Sequence, residues 1–427
     1  MGKSIITKAH VNQARRKFLK QSLVIASSVS ISACGESSTP TPVEILPPAS
    51  GSNDTPGALS QTSSPLNIVI IGAGMSGLIA GYELLRAGHQ VTILEARDRS
   101  GGRVHTLYDP FENGQFAEAG ASRIPSDHNL TLAYIQHFEL NIDPFYPRTN
   151  NYFYLENNVS SVIPAEEYLN QPPWPGSVNR SDYFKIRGGM ANLPLAVSSS
   201  LSDNVIYASP VESVQQSNEN VVIYTSNNEQ YFADRVLCTV PLPVLNKITF
   251  TPPLSDEKTL ASNGGYDYTD STRLYTQFSE RFWLADNLNG WGNTNWPEEV
   301  WQPTWDNGES TGIMQSYLRN FSATQLDTFN KEQQVESVHG RWQHVLPQLN
   351  DFIVTNHIHS WQQESWTGSA YASPTNSQND ALASHIALAE GRIHFAGEHA
   401  SQFHGWIQGA IASGMRAAEE IHNSINN

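Results

Sequence analysis

A glycine-rich stretch near residue 70 constrains the fold more than any other part of the chain. The run Asn67–Ile71 is short, apolar and β-branched, as in a strand that is buried on both faces. Gly72, Gly74 and Gly77 follow it in GxGxxG spacing. In this spacing the glycines permit a tight turn, a close approach of backbone N–H groups to a pyrophosphate, and close packing of a helix on the strand. We therefore predict a strand, a turn and a helix that bind a dinucleotide.

The residues after the glycines complete a βαβ unit. Their apolar spacing predicts an amphipathic helix from about Met75 to Ala87, which Gly88 ends. A second strand, Val91–Leu94, leads to Glu95, whose carboxylate is placed to accept hydrogen bonds from a ribose hydroxyl. The alternative, a βαβ unit that binds nothing, is disfavoured because every part of the pattern is present.

The first 33 residues have the character of an export signal. They contain six Lys or Arg and no Asp or Glu, and Arg15-Arg16 precedes an apolar segment that is too short to span a bilayer. This resembles a twin-arginine signal, and the sequence around Cys34 resembles a lipobox, with a plain cleavage site as the alternative. We expect export by the twin-arginine pathway and a periplasmic or cell-surface lipoprotein that is held at the membrane through acylated Cys34.

Composition bounds the remainder of the chain. Residues 34–65 are rich in Ser, Thr, Pro and Gly, which predicts a disordered tether. The formal net charge of −16 disfavours nucleic acid as a partner. Besides Cys34 the chain has only Cys238, so no disulfide forms if Cys34 is acylated. No metal site is expected, and the oligomeric state is not predicted.

Later motifs narrow the class of dinucleotide. Gly101-Gly102-Arg103 brings a second backbone stretch and a guanidinium that can pair with a diphosphate. Further motifs follow in a fixed order: DRVLCTVPL at 234–242, ITFTPPL at 248–254, FAGEH at 395–399 and HGWIQGA at 404–410. Together these motifs resemble the flavin-containing amine oxidase family, and most closely its L-amino-acid oxidases.

The resemblance implies both a fold and a cofactor. The fold is α/β, with a Rossmann-like FAD-binding domain and an interleaved mixed-sheet α+β substrate domain. The expected FAD domain comprises 66–125, 187–265 and 385–427, and the substrate domain comprises 126–186 and 266–384. The expected FAD contacts are Gly72, Gly74, Met75, Ser76, Gly77, Glu95, Ala96, Arg97, Gly102, Arg103, Gly120, Ala121, Ser122, Arg123, Val211, Glu398, Trp406 and Ile407.

One motif indicates the substrate. The segment EAGASRIP at 118–125 resembles the L-amino-acid oxidase motif in which an arginine, here Arg123, grips the substrate carboxylate through its planar fork. The resemblance places the Tyr317 hydroxyl on the same carboxylate, and Gly405 and Trp406 beside the amine and the flavin. The alternatives are a surface salt bridge for Arg123, a core tyrosine for Tyr317 and ordinary cavity lining for Trp406.

The implied reaction is oxidative deamination of an L-amino acid by hydride transfer to flavin N5, giving a 2-oxo acid, ammonia and hydrogen peroxide. Arg273 falls where many family members have a catalytic lysine, and because arginine is longer and planar, the electron acceptor, oxygen or a quinone, stays open. A monoamine or polyamine oxidase and a non-catalytic flavin-binding lipoprotein are the competing interpretations.

The substrate domain is less readable from sequence. Between Pro125 and residue 186 one clear helix is expected, from about Asn129 to Phe138, so the substrate funnel is expected to be short and open. Residues 291–305, rich in Trp, are expected to form a covering loop. The resemblance places Trp361, Trp366 and Tyr371 near the flavin, with core packing as an equal explanation.

Overall fold

The computed structural model describes residues 56–424. The predicted export signal, Cys34 and the first part of the predicted tether lie outside the described residues, so they stay predictions. Within 56–424, no helix is long and apolar enough to cross a membrane.

The described chain contains both strands and helices, and several strands follow one another without a helix between them. The strands are β1 Asn67–Ile71, β2 Gln90–Leu94, β3 Thr106–Leu107, β4 Ala117–Glu118, β5 Ile124–Pro125, β6 Ile142–Pro144, β7 Asn151–Glu156, β8 Val159–Pro164, β9 Tyr183–Ile186, β10 Val205–Ile206, β11 Val211–Gln216, β12 Val221–Thr225, β13 Gln230–Ala233, β14 Arg235–Cys238, β15 Thr249–Thr251, β16 Tyr268–Thr269, β17 Ser271–Phe278, β18 Leu288–Thr294, β19 Glu299–Trp301, β20 Gly312–Arg319, β21 Ile353–Ser360, β22 Tyr371–Ala372 and β23 Ile393–Phe395. The helices are α1 Met75–Arg86, α2 Asn129–His137, α3 Ala165–Leu169, α4 Asn192–Leu201, α5 Leu242–Leu245, α6 Asp256–Leu260, α7 Asn320–Asp327, α8 Lys331–Trp342, α9 Asn376–Ala387 and α10 Ile407–Asn423.

A parallel sheet forms the first half of the molecule. Its five strands run in the order β10-β2-β1-β14-β23, and they come from three separated parts of the chain. The central strand β1 has no polar side chain after Asn67, which suits a strand covered on both faces. Because all five strands are parallel, their carboxyl ends meet at one edge, where ligands of such sheets bind.

Helices α1 and α10 lie against this sheet, and glycines allow close backbone contacts around α1. Helices α1 and α10 cross closely enough that a Cβ added at Gly414 would collide with the carbonyl oxygen of Ser76. A Cβ added at Gly77 would collide with the carbonyl oxygen of Gly72. The third glycine of the motif therefore permits the close helix packing that the sequence predicts for it.

A mixed sheet forms the second half, in the order β21-β17-β20-β19-β18-β7-β8. All of its neighbouring strands are antiparallel except β18 and β7. Strands β17 and β20 are almost entirely buried, and they pack against helices α7 and α8. This sheet provides the floor of the cavity described below.

The prediction of a covering loop at 291–305 is wrong for residues 291–294 and 299–301, which are strands. Trp291 lies in β18 and Trp301 in β19, and the two buried indole rings stack at 6.0 Å between centroids. Both strands belong to the mixed sheet. The sequence does not reveal them, because strands that are buried on both faces lack the alternation of apolar and polar residues.

Two boundaries also differ from the sequence prediction. The predicted tether is too long, because the Gly57 N–H donates to the buried carboxylate of Glu83, and the Thr62 N–H donates to the Ala87 carbonyl. Helix α2 falls in the segment assigned to the substrate domain, yet its Tyr134 and Ile135 side chains lie in the core of the parallel sheet. The first domain boundary therefore falls after α2, and the other boundaries stay predictions.

Candidate active site

One cavity joins the carboxyl edge of the parallel sheet to the face of the mixed sheet. Every residue predicted to contact FAD lines it, except Gly77, which is used for helix packing. The residues predicted to contact substrate and the predicted catalytic residue also line it: Arg123, Arg273, Tyr317, Gly405 and Trp406. Side chains that are far apart in sequence are therefore brought together as the motifs predict.

The glycine turn leaves an anion site at one end of the cavity. Gly74 is the N-cap of α1, no side chain caps the helix, and a Cβ added at Gly74 would meet no atom within 4 Å. Gly102 approaches the same point, since an added Cβ there would lie 3.3 Å from the Gly74 Cα. Backbone N–H groups at the start of α1 and the helix dipole thus face an open space that suits a pyrophosphate.

The carboxylate of Glu95 is held in place beside this turn. Its oxygens accept hydrogen bonds from the Ala73 N–H at 2.7 Å and the Arg97 N–H at 2.9 Å. Each carboxylate oxygen has a further lone pair, so Glu95 can still accept the ribose hydroxyls expected from the sequence.

Arg103 and Glu398 form an ion pair across the cavity. The Arg103 Nη1 lies 2.7 Å from the Glu398 Oε1 and also donates to the Ala370 carbonyl. Burial raises the pKa of Glu398, but Arg103, His399 and the Gly405 N–H together outweigh that effect and the net pKa is lowered. The N–H of Gly405 donates to the other oxygen of Glu398 at 2.8 Å. Arg103 and Glu398 therefore form a pair that connects the Gly101-Gly102-Arg103 segment to the FAGEH motif at 395–399.

Aromatic side chains surround the other end of the cavity, which we call the substrate chamber. They are Trp174, Trp301, Tyr317, Tyr371 and Trp406. The Tyr317 and Tyr371 hydroxyls lie 3.5 Å apart. These rings give the substrate chamber a large apolar wall area.

Arg123 lies among these rings with only part of its guanidinium engaged. Nη1 donates to the Tyr146 hydroxyl and to Glu299 Oε2, both at 3.2 Å. Burial lowers the pKa of Arg123, but Glu299, Tyr146 and Tyr317 together outweigh that effect, so its pKa is raised and it stays charged. Among the residues that the structure describes, Nε and Nη2 have no hydrogen-bond acceptor. Because the side chain lines the cavity, this edge is available to a ligand carboxylate.

Arg273 lies beneath Tyr317 and supports the loop that carries Arg123. Its Nη1 donates to the carbonyls of Glu118 and Gly120 and to the Ser122 hydroxyl, at 2.7, 2.8 and 3.0 Å. In the described part of the chain it has no carboxylate within ion-pair distance. The catalytic role of Arg273 stays a prediction, and the observed contacts give it a structural role and an uncompensated charge.

Known proteins share this arrangement of motifs. The sequence profile described as flavin containing amine oxidoreductase matches residues 75–180 and 174–422. The chain belongs to this family. The described cavity therefore belongs to a flavin amine oxidoreductase with the α/β two-domain fold of that family, and its cofactor is FAD.

Individual relatives agree with this placement. The chain is 27% identical over 468 residues to the putative L-amino-acid oxidase YobN of Bacillus subtilis (strain 168), covering 85% of this chain and 96% of the relative. It is 26% identical over 459 residues to the L-amino-acid oxidase of Daboia russelii, covering 86% and 91%.

Solved structures share the fold. A putrescine oxidase variant superposes with a TM-score of 0.74 at 18% identity, covering 84% of this chain and 99% of that one. The cyclohexylamine oxidase from Brevibacterium oxydans IH-35A gives 0.72 at 15% identity, covering 85% and 100%. At these identities the likeness concerns the fold alone.

The sequence interpretation missed two residues of the flavin amine oxidoreductase site. Trp174 closes the substrate chamber, with the Arg123 guanidinium carbon 5.3 Å from its ring centre, and Glu299 anchors Arg123. The run Gln-Pro-Pro-Trp-Pro-Gly at 171–176 is a sequence signal for Trp174 as a site residue, because its prolines restrict the loop that carries the ring. Glu299 had no such signal, because its partner is distant in sequence.

Proposed function

We propose that this flavin amine oxidoreductase oxidises L-amino acids to 2-oxo acids with release of ammonia and, with oxygen as acceptor, of hydrogen peroxide. The observation that carries the proposal is the geometry of Arg123. One nitrogen is anchored by Glu299 and Tyr146, while Nε and Nη2 have no acceptor among the described residues and the side chain lines the cavity. A guanidinium held in this way can bind a carboxylate through two parallel hydrogen bonds. The L-amino-acid oxidases among the relatives support the same substrate class.

The charge balance of the substrate chamber also favours a carboxylate. Arg123, Arg273 and Arg319 line the cavity, whereas the carboxylates within ion-pair distance of them are Glu298 and Glu299. One positive charge is thus in excess among the described residues. A cationic amine would add to this excess, whereas the anionic form of an amino acid, with its amine neutral, would cancel it.

The side chains of the substrate chamber then define how the substrate is held. Arg123 fixes the carboxylate, and the Tyr317 hydroxyl is available to it as a further donor. Trp406 and Tyr371 restrict the amine and the α-carbon, and Trp174 shields the ion pair from water. Bound FAD supplies the acceptor for the hydride on the α-carbon. The contribution of the protein is mainly orientation, which converts binding into a reactive geometry.

A monoamine or diamine substrate is the second candidate. It is favoured by the ion pair between Arg123 and Glu299, because a guanidinium that already has a carboxylate partner needs a substrate carboxylate less than a free one does. Substrates that lack a carboxylate therefore belong in the same assay. The electron acceptor is tested alongside, by comparing peroxide yield with reduction of a quinone analogue.

The test of the proposal is substitution of Arg123. Arg123→Gln should lower kcat/KM for the best L-amino acid by about tenfold to a hundredfold, since a charge-assisted hydrogen bond contributes roughly 1.5–3 kcal/mol. Arg123→Lys should recover part of the loss, because lysine keeps the charge but lacks the planar fork. Flavin content and thermal stability serve as controls for folding. Unchanged kcat/KM in a flavin-loaded Arg123→Gln variant would exclude the carboxylate clamp.

A further inference from the structure

Glu299 lies between two arginines that both line the substrate chamber. Its Oε2 is 3.2 Å from the Arg123 Nη1, and its Oε1 is 3.9 Å from the Arg319 Nη2. The register of the mixed sheet produces this arrangement, because Glu299 in β19 pairs with Tyr317 in β20, two residues before Arg319. A carboxylate that belongs to the protein therefore bridges two guanidinium groups that line the chamber.

The Glu299 carboxylate is held in its ionised form. Burial raises its pKa, but Arg123, Arg319 and Arg273 together outweigh that effect, and the net pKa lies below the usual glutamate value. Burial raises the pKa of Tyr146, whose hydroxyl accepts a hydrogen bond from the Arg123 Nη1, so this neighbour stays neutral near pH 7. Arg123 and Arg319 thus have an anion between them before any substrate enters.

The neighbouring Glu298 shares Arg319 with Glu299 but differs from it in its relation to Arg123. Its carboxylate lies 3.4 Å from the Arg319 Nε and, among the described ion pairs, has no contact with Arg123. It faces a separate surface cavity that it shares with Arg319, Asn320 and Ser322. The chain therefore offers an adjacent carboxylate that touches the same network from the outside.

We infer that Glu299 is a specificity-determining residue that occupies the position between Arg123 and Arg319 where a second substrate carboxylate would bind. With this position filled, the substrate chamber accepts the α-carboxylate on the free edge of Arg123 and rejects an acidic side chain. The inference rests on the proposed function, because it concerns which L-amino acids the same site accepts. It assigns Glu299 a role in discrimination rather than in the chemical step.

Removing the charge of Glu299 should reverse the discrimination. Arg123 and Arg319 would then face the substrate chamber without a shared anion, and the site would attract a second carboxylate. The readout is the ratio of kcat/KM for L-glutamate to that for L-glutamine, because the two substrates have nearly the same shape and differ in charge. The same ratio for L-aspartate and L-asparagine gives a second measurement.

The experiment uses the flavin-loaded protein and the variants Glu299→Gln, Glu299→Ala and Glu298→Gln. We expect at least a tenfold rise in the acid-to-amide ratio for both Glu299 variants and less than a twofold change for Glu298→Gln. An unchanged ratio in a Glu299 variant that is still reduced by its ordinary L-amino acid would overturn the inference. Failure of the wild-type protein to oxidise any L-amino acid would instead refute the proposed function.

A binding measurement keeps the inference testable if the Glu299 variants do not fold. Glutarate and its monoamide are titrated into the wild-type protein, and the change in flavin absorption reports their dissociation constants. We expect the monoamide to bind at least tenfold more tightly, because Glu299 repels the second carboxylate of glutarate. Equal or tighter binding of glutarate would overturn the inference.

Discussion

Arg123 and Arg273 both line the substrate chamber, but their charges are compensated differently. Arg123 has Glu299 as an ion-pair partner, whereas Arg273 donates to two backbone carbonyls and a hydroxyl. The motif around Arg123 was sufficient to predict its place in the cavity. Its anchor was not predictable, because Glu299 is 176 residues away in sequence and becomes a neighbour only through the register of the mixed sheet.

Glu118 allows a prediction about pH at the scale of one residue. The carboxyl is fully enclosed and accepts hydrogen bonds from the Thr106 hydroxyl and the Met190 N–H, both at 2.8 Å. Burial raises its pKa from 4.5 to about 7, against the smaller opposing effect of these hydrogen bonds. The folded state therefore binds the proton more tightly than the unfolded state does, so this group destabilises the fold as pH rises from about 4.5 to 7.

Glu118→Gln should remove this dependence, because a neutral amide has no proton to lose. Relative to wild type, the free energy of unfolding of the variant should rise between pH 5 and pH 8, by up to about 3 kcal/mol. Chemical denaturation at several pH values measures the difference. A difference that is constant over this range would show that Glu118 does not titrate there.

At the scale of elements, the glycine-rich βαβ unit was predicted well and the mixed sheet poorly. The boundaries of β1 and α1 follow from local signals, namely a β-branched run, three spaced glycines and an amphipathic repeat. The strands β18 and β19 carry no such signal, because tryptophans buried on both faces give neither a strand nor a helix period. Long-range pairing therefore decides their structure.

The contact between α1 and α10 gives a prediction with an internal control. Gly414→Ala should lower thermal stability and flavin retention, because the new methyl group would collide with the backbone of Ser76, which follows the glycine turn at the FAD site. Gly340→Ala is the matched control, since Gly340 lies in helix α8 and an added Cβ would meet no atom within 4 Å. That control should be neutral or stabilising by up to about 1 kcal/mol. Equal effects of the two substitutions on thermal stability and flavin content would contradict the packing role of Gly414.

At the scale of the whole molecule, the fold class and the cofactor followed from motifs spread over most of the chain. The start of the folded region could not be predicted from the sequence. Ser, Thr, Pro and Gly dominate residues 34–65, and composition does not reveal specific hydrogen bonds. Residues 57–62 bind to α1 through backbone contacts and the buried carboxylate of Glu83, which Tyr134 also contacts at 2.6 Å.

Truncation tests where the folded region starts. A chain that begins at residue 56 should keep the thermal stability and flavin content of the full chain. A chain that begins at Asn67 should lose stability, because the Glu83 carboxylate loses its backbone donor from Gly57. Thermal denaturation of both forms measures the effect, and identical midpoints would show that residues 57–66 add nothing to the fold.

We also propose that the chain is exported by the twin-arginine pathway and anchored through acylated Cys34. Incorporation of labelled fatty acid should then be lost in Cys34→Ala, and export should be lost when Arg15 and Arg16 are both replaced by lysine. Label retained in Cys34→Ala would exclude this residue as the attachment site.

Above all, we propose that the substrate chamber binds a substrate through its carboxylate. The most direct measurement compares the rate of anaerobic flavin bleaching by an L-amino acid with that by the amine that lacks its carboxylate. L-Phenylalanine and 2-phenylethylamine are one such pair. The pairs are taken from a screen of the common L-amino acids. We predict that the best amino acid bleaches the flavin at least tenfold faster than its matched amine. Bleaching by the amine alone, or by neither compound of any pair, would contradict this prediction.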